Sequence, residues 1–133
     1  ALQANKQGKL AIQTLETLLT RNPNNYSISD TLAEIYQLND LIESSERLLL
    51  NTAKTQKENP RVWYLLAEIH GLAGHIVDLH LARAEYFFLT NRLDKAIAQL
   101  NLALKKNNNT DQTIARIQKR MDEIYEIKNN PLF

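Results

Sequence analysis

The spacing of apolar residues constrains the fold of this chain more than any other feature of its sequence. Apolar residues recur at intervals of three and four along most of the 133 positions. That spacing places apolar side chains on one face of an α-helix, whereas a half-buried strand would show alternation. Gly and Pro number three each, and an all-β fold would need a turn signal roughly every 8–12 residues. The sequence therefore predicts an all-α fold.

Capping residues divide the chain into six or seven predicted helices. Asn22-Pro23 and Asn59-Pro60 lie 37 residues apart, and Asn followed by Pro is typical of a helix start. Ser27, Asp40 with Glu43, Asn91 with Asp94, and Thr110 are the further predicted N-terminal capping residues. The predicted helices cover residues 10–20, 27–38, 40–57, 60–73, 76–90, 93–106 and 111–128. Short connections between them favour antiparallel helix hairpins.

Small and large residues recur at corresponding positions of these helices. Two faces of one kind are Ser29, Leu32, Ala33 and Tyr36, and Trp63, Leu66, Ala67 and His70 with Gly74 at the turn. Three seams of another kind are Ala11 with Leu15, Ser45 with Leu49, and Ala96 with Leu100 and Ala103. A small residue lets two helix axes approach closely, and its large neighbours fill the space beside it. Each hairpin then buries a face that it cannot bury alone.

These positions resemble the tetratricopeptide repeat, a helix pair of about 34 residues with a Trp-Leu-Gly-Tyr face on its first helix and an Ala-Phe seam on its second. The resemblance implies a superhelical array of antiparallel helix hairpins. It would form one domain over residues 1–128, with degenerate repeats at about 1–25, 26–59, 60–91 and 92–128. Between Gly74 and Asn91 only one helix fits where the pattern asks for two, so the repeat register there stays open.

The two ends of the array carry their own expectations. Residues 1–9 look like the end of a hairpin whose first helix is mostly missing, which would leave the Ala11 and Leu15 seam for a neighbouring domain or copy. At the other end, residues 129–133 are expected to fray. The stripe of Ile114, Ile117, Met121 and Ile124 predicts a C-terminal capping helix, which repeat arrays need at their ends.

Composition and charge exclude several classes of function. Lys plus Arg is 16 and Asp plus Glu is 15, a net charge of +1 without a long run of like charge, so nucleic acid is not an expected partner. The chain has no Cys, which removes thiol catalysis and Cys-ligated zinc. No apolar run approaches the roughly 20 residues that cross a bilayer. Because the chain begins at Ala1 without Met, we interpret it as a fragment or a processed product.

A narrower resemblance is carried by the segment LARAEYFFLTNRLDKAIAQLNLALK, residues 81–105, and by the following helix with Arg116, Arg120 and Glu123. The segment is similar to the C-terminal repeat domain of BepA/YfgC-like bacterial metallopeptidases. In that family a zinc peptidase domain bearing HEXXH precedes the repeats, and the protein serves quality control of outer-membrane β-barrel assembly in the periplasm. The resemblance therefore implies a partner-recruiting domain whose zinc lies in another domain.

Its implied partners are the β-barrel assembly machinery or unfolded outer-membrane proteins, and its implied location is the periplasm. No HEXXH occurs in these 133 residues, so we expect no catalytic residue in this chain. The alternative is a free-standing repeat adaptor or a secretion-type chaperone that binds an extended peptide in its groove.

Residues that could carry chemistry are few. His70, His75 and His80 are spaced by five, whereas paired metal ligands on a helix are spaced by three or four. A zinc site with a carboxylate such as Asp78 is therefore not expected, and neither is any cofactor. The carboxylate pairs Asp122 with Glu123 and Glu43 with Glu46 are predicted on solvated helix faces.

Binding residues are predicted from the first-helix faces, because the concave groove of this repeat is lined beside them. The predicted partner-binding residues are Asp30, Glu34, Tyr64, Glu68 and Phe88. The set is acidic and aromatic, unlike the Lys and Asn of repeats that clamp an acidic C-terminus. A partner segment that is extended, apolar or basic suits it best.

Overall fold

The computed structural model describes the backbone of residues 2–130 and the side chains from residue 6 to residue 130. This part of the chain contains seven α-helices and no strand, as the apolar spacing predicts. The helices are α1 Leu2–Arg21, α2 Tyr26–Leu38, α3 Ile42–Thr55, α4 Pro60–Ala73, α5 Ile76–Leu89, α6 Leu93–Leu104 and α7 Asp111–Asn129. Each helix packs against the next one along the chain. Residues 2–9 belong to α1. Of the tail expected to fray, Asn129 is instead the last residue of α7, and residues 131–133 lie outside the described range.

Helix starts agree with the sequence only in part. The side chain of Asn59 accepts from the backbone N–H of Arg61, and that of Thr110 accepts from Thr113, as predicted. At α2 the prediction of Ser27 was wrong, because the capping side chain is Asn25. The helices α3 and α6 begin without a side-chain cap.

Asp40 and Asn91 were wrongly predicted as caps because both lie in turns of another kind. Their φ angles are 59° and 61°, and Gly74 in the α4–α5 turn has φ 80°. Asn, Asp and Gly are the residues that tolerate this left-handed conformation. In each turn the N–H of the following residue donates to the carbonyl five positions earlier, at 2.8–2.9 Å. This bond is typical of a Schellman helix end.

The order of these turns shows that α5 takes part in two helix hairpins. Asp40 and Gly74 are 34 positions apart, one tetratricopeptide unit, and each joins the two helices of a hairpin. Asn91 follows half a unit later and joins α5 to α6 by the same kind of turn. Helix α5 is therefore the second helix of the α4–α5 hairpin and the first helix of the α5–α6 hairpin. Asn91, the last residue of the third predicted repeat, lies in the α5–α6 turn, and the repeat boundaries stay a prediction.

Helix α5 also connects the two largest cores of the array. Ala82 is buried in the core formed mainly by α3 and α4. Ala84, two residues later, is buried in the core formed by α6 and α7. A single helix here does the packing that two helices would do in a regular array, which is why it is apolar on more than one face.

The predicted faces and seams are largely confirmed. Ser45 approaches α2 so closely that its hydroxyl donates to the carbonyl of Ala33 at 2.8 Å. Ala96, Leu100 and Ala103 are buried on α6. The first seam is displaced, since Ala11 and Leu15 are only half-buried and Ile12 lies in the small core with Leu32 and Tyr36. Leu10 and Leu18, two further apolar residues of α1, are exposed.

Helix α7 covers the end of the second core, as expected of a capping helix. Ile117 and Ile124 are buried there and Met121 packs against them. The Nζ of Lys128 forms an ion pair with Asp94 of α6 at 2.5 Å. The stripe on α7 therefore closes the array at this end.

Replacing Ala96 by Leu should destabilise the protein by about 1–3 kcal/mol, because the added carbons overpack a fully buried helix seam. Urea denaturation followed by circular dichroism measures the change. Ala98→Leu on the same helix is the matched control, since Ala98 is exposed, and its effect should stay within about 0.5 kcal/mol. Equal midpoints for the two variants would contradict the seam.

Candidate functional site

Four of the five predicted binding residues lie along one surface of α2 and α4. We call the depression lined by Glu34, Gln37, Arg61, Leu65 and Glu68 the acidic groove; its volume is about 150 Å³. It continues into a depression of about 200 Å³ between α4 and α5, lined by Tyr64, Glu68, Arg83, Tyr86 and Phe87. Because Glu68 lines both, the two form one continuous surface.

The charges along the acidic groove are unequally neutralised. The Nε of Arg61 lies 3.2 Å from both carboxylate oxygens of Asp30, and this hydrogen-bonded pairing raises the pKa of Arg61. The carboxylate of Asp30 on α2 is thus paired with Arg61 on α4. Glu34 and Glu68 are exposed, and Glu68 accepts only a long 3.4 Å bond from Gln37. These two carboxylates give the groove its negative character.

Tyr64 and Tyr86 line the depression between α4 and α5, and we call this pair of rings the aromatic shelf. Their ring centroids are 5.7 Å apart at an interplanar angle of 57°, within the range of favourable aromatic pairs. Tyr86 in turn contacts the ring of Phe87 at 5.6 Å. Tyr64 remains 54% exposed, so it offers a ring face and a hydroxyl to a bound segment.

Phe88 does not join this groove, contrary to the sequence prediction. It lies on the opposite side of α5, in what we call the apolar cleft, which is lined by Leu50, Trp63, Phe88, Leu89 and Arg120 among others. The volume of this cleft is about 540 Å³. Sequence reasoning missed it because its residues come from α3, α4, α5 and α7, which only the packed fold brings together.

Arg120 forms one wall of the apolar cleft and fixes α7 to α5. Its guanidinium donates to both carboxylate oxygens of Glu85, at 2.7 and 2.9 Å, and lies 4.5 Å from the ring centre of Phe88. Glu123 accepts a weaker 3.4 Å bond. The hydrogen bonds that Arg120 donates to Glu85 raise the pKa of Arg120. Planar Arg suits this bidentate and stacked position better than Lys.

Two of the three histidines meet at a carboxylate that was wrongly predicted to be exposed. Glu46 is buried in α3, and its Oε2 lies 2.6 Å from Nδ1 of His70 and 2.7 Å from Nδ1 of His75. Burial raises the pKa of Glu46, but the hydrogen bonds from His75 and His70 outweigh it and lower the pKa overall. The hydrogen bond between His75 and Glu46 raises the pKa of His75. His80 lies apart and contacts Gln99 at 2.8 Å.

The other carboxylates considered from the sequence lie where they were expected. Glu43, Asp122 and Glu123 are exposed on their helices. Among the candidate groups named from the sequence, the fold therefore brings His70 and His75 together at Glu46.

Stacked helix hairpins with grooves along their helices define a class of protein-binding repeat modules. The chain belongs to the tetratricopeptide repeat family: the family model described as "Tetratricopeptide repeat" matches residues 2–69. No curated protein matches the chain. The family match ends within α4, just before the helix that serves two hairpins. None of the described helices is long and apolar enough to cross a membrane.

Arg120→Ala should destabilise the protein by about 1–2 kcal/mol, because it leaves the half-buried Glu85 carboxylate without its bidentate partner. Thermal unfolding of the variant measures the loss. Arg116→Ala on the same helix is the control: Arg116 is exposed, so its removal should change stability by no more than about 0.5 kcal/mol. If both variants unfold at the same temperature, α7 is not fixed through Arg120.

Proposed function

We propose that this repeat module holds an extended, partly basic segment of another protein along the acidic groove and the aromatic shelf. The observation that carries the proposal is the continuity of the two depressions at Glu68, beside the exposed carboxylates of Glu34 and Glu68, which form no salt bridge within the part of the chain that the structure describes. Repeat families of this kind bind proteins or peptides along such surfaces. A shallow groove along helices suits an extended chain better than a compact ligand.

The charged and aromatic side chains of this surface suit a segment with a basic residue and an apolar or aromatic residue. A Lys or Arg side chain can lie between Glu34 and Glu68, where it would gain charge-assisted hydrogen bonds. An apolar or aromatic side chain further along the extended segment can pack on the ring of Tyr64. Asp30 is part of the predicted set but contributes indirectly, since its carboxylate is occupied by Arg61.

For the setting of this activity, we propose that the module recruits substrates or an assembly machine to a periplasmic zinc metallopeptidase. The support is the resemblance of residues 81–105, which form most of α5 and α6, to the repeat domain of BepA/YfgC-like proteins. The expected partners are unfolded outer-membrane proteins or the β-barrel assembly machinery. The sequence that precedes Ala1 in the gene tests this part alone, since an upstream HEXXH supports it. Its absence would favour the free-standing adaptor or secretion-type chaperone.

A peptide that combines leucine and lysine should bind the module at least tenfold more tightly than a peptide with glutamate in place of lysine. The difference should disappear in the Glu34→Gln/Glu68→Gln variant, and Tyr64→Ala should weaken binding of the lysine peptide about tenfold, which corresponds to about 1.4 kcal/mol. Fluorescence anisotropy of labelled peptides measures both effects.

The matched controls for the peptide experiment lie on α7, away from the groove. Tyr125 is 40% exposed and Glu126 is exposed. Tyr125→Ala and Glu126→Gln should leave peptide affinity unchanged. Equal losses from the α7 variants and the groove variants would contradict the assignment of the groove.

A photo-crosslinking amino acid at position 64 or at position 88 of the full-length protein distinguishes the two faces of α5 in cells. Position 64 should give adducts with unfolded outer-membrane proteins or assembly components, identified by mass spectrometry, and position 88 should not. Adducts from position 88 alone would move the binding surface to the apolar cleft.

A further inference from the structure

Three side chains that can ligate a metal converge from three different parts of the fold. Glu46 lies in the second turn of α3, His70 in the last turn of α4, and His75 immediately before α5. One ligand atom from each lies within 4.8 Å of the other two. The α4–α5 turn through Gly74, at φ 80°, is what brings His75 back toward His70. The spacing of five that argued against a metal site in one helix therefore places the two rings on either side of a turn.

The burial of the three groups differs in a way that suits a site reached from one side. The side chains of His70 and Glu46 are 5% and 11% exposed, whereas that of His75 is 52% exposed. His70 and Glu46 are held by the packed helices around them. His75 faces solvent, so an ion can enter past it without unfolding of the core.

We propose that Glu46, His70 and His75 form a binding site for a divalent transition-metal ion of the zinc type. Two imidazole nitrogens and one carboxylate oxygen are a donor set that Zn²⁺ takes in proteins, with the fourth tetrahedral position left to a water or an exogenous ligand. Imidazole donors favour zinc over magnesium or calcium, which prefer oxygen. This site is independent of the acidic groove and of the proposed function.

The observed geometry requires only a small adjustment to accept the ion. Ligands about 2.0–2.2 Å from a tetrahedral zinc are about 3.3–3.5 Å from one another. The Nδ1 atoms now lie 2.6 and 2.7 Å from the same Glu46 oxygen, so each nitrogen must move away by roughly 0.7 Å. The exposed ring of His75 can make this shift by itself, and rotation of the Glu46 carboxylate supplies the remainder. Glu43 and Asp78 lie near His75 and add negative potential that favours a cation.

A bound ion would fasten α3, the end of α4 and the start of α5 to one another. Binding to the folded state alone raises stability in proportion to the logarithm of metal concentration. The bound ion would thus stabilise the α4–α5 turn. Helix α5, which packs on both cores, begins directly after this turn.

Titration of the metal-free chain with Zn²⁺, and with Co²⁺ as a spectroscopic probe, tests the proposal. We expect one Zn²⁺ per chain by calorimetry, a rise in Tm with zinc, and a Co²⁺ ligand-field absorption band typical of tetrahedral coordination. His75→Gln should weaken Zn²⁺ binding at least tenfold and remove the Co²⁺ band. Glu46→Gln should do the same, so the result does not depend on one variant.

His80→Gln is the matched control, because His80 contacts Gln99 and lies outside the cluster. This variant should bind Zn²⁺ as the parent chain does. Circular dichroism confirms that each variant is folded, and His75→Gln should fold because its side chain is half exposed. Absence of saturable binding in the parent chain, or equal losses in His75→Gln and His80→Gln, would overturn the proposal and leave the three groups as a hydrogen-bonded cluster.

Discussion

Helix α5 buries two faces at once, and the rest of the structure depends on this constraint. Residues two apart on a helix project in directions about 200° apart. Ala82 and Ala84 therefore point to opposite sides, one into the core with α4 and the other into the core with α6 and α7. Both are small, so helices can approach α5 closely on each side. Turns of the same kind, at Gly74 and Asn91, precede and follow α5.

The same geometry separates the two candidate surfaces of the molecule. Tyr86 and Phe88 are also two residues apart on α5, and they face opposite sides for the same reason. Tyr86 joins Tyr64 beside the acidic groove, whereas Phe88 lies against Arg120 in the apolar cleft. Because one helix serves both hairpins, a change at either residue alters one surface without touching the other.

Local pattern was sufficient for most of the fold and insufficient for most of the site. Helices and seams could be predicted because the spacing that buries Leu32 or Leu100 is a property of one helix. Asp40 and Asn91 were misassigned because the same residue types favour caps and left-handed turns. The burial of Glu46 could not be predicted, since its partners are 24 and 29 residues away, and the packing of α3 on α4 together with the α4–α5 turn brings them to it. Its position next to the Ser45 seam was the one signal in the sequence.

Side-chain methyl NMR during urea denaturation tests most directly whether α5 joins the two cores into one cooperative array. Ile69 reports on the first core and Ile124 on the second, and both are fully buried. If the shared helix couples the cores, the two methyl signals lose their native positions along coincident curves. Separate transitions, with one core unfolding while the other keeps its native shifts, would contradict the central role of α5.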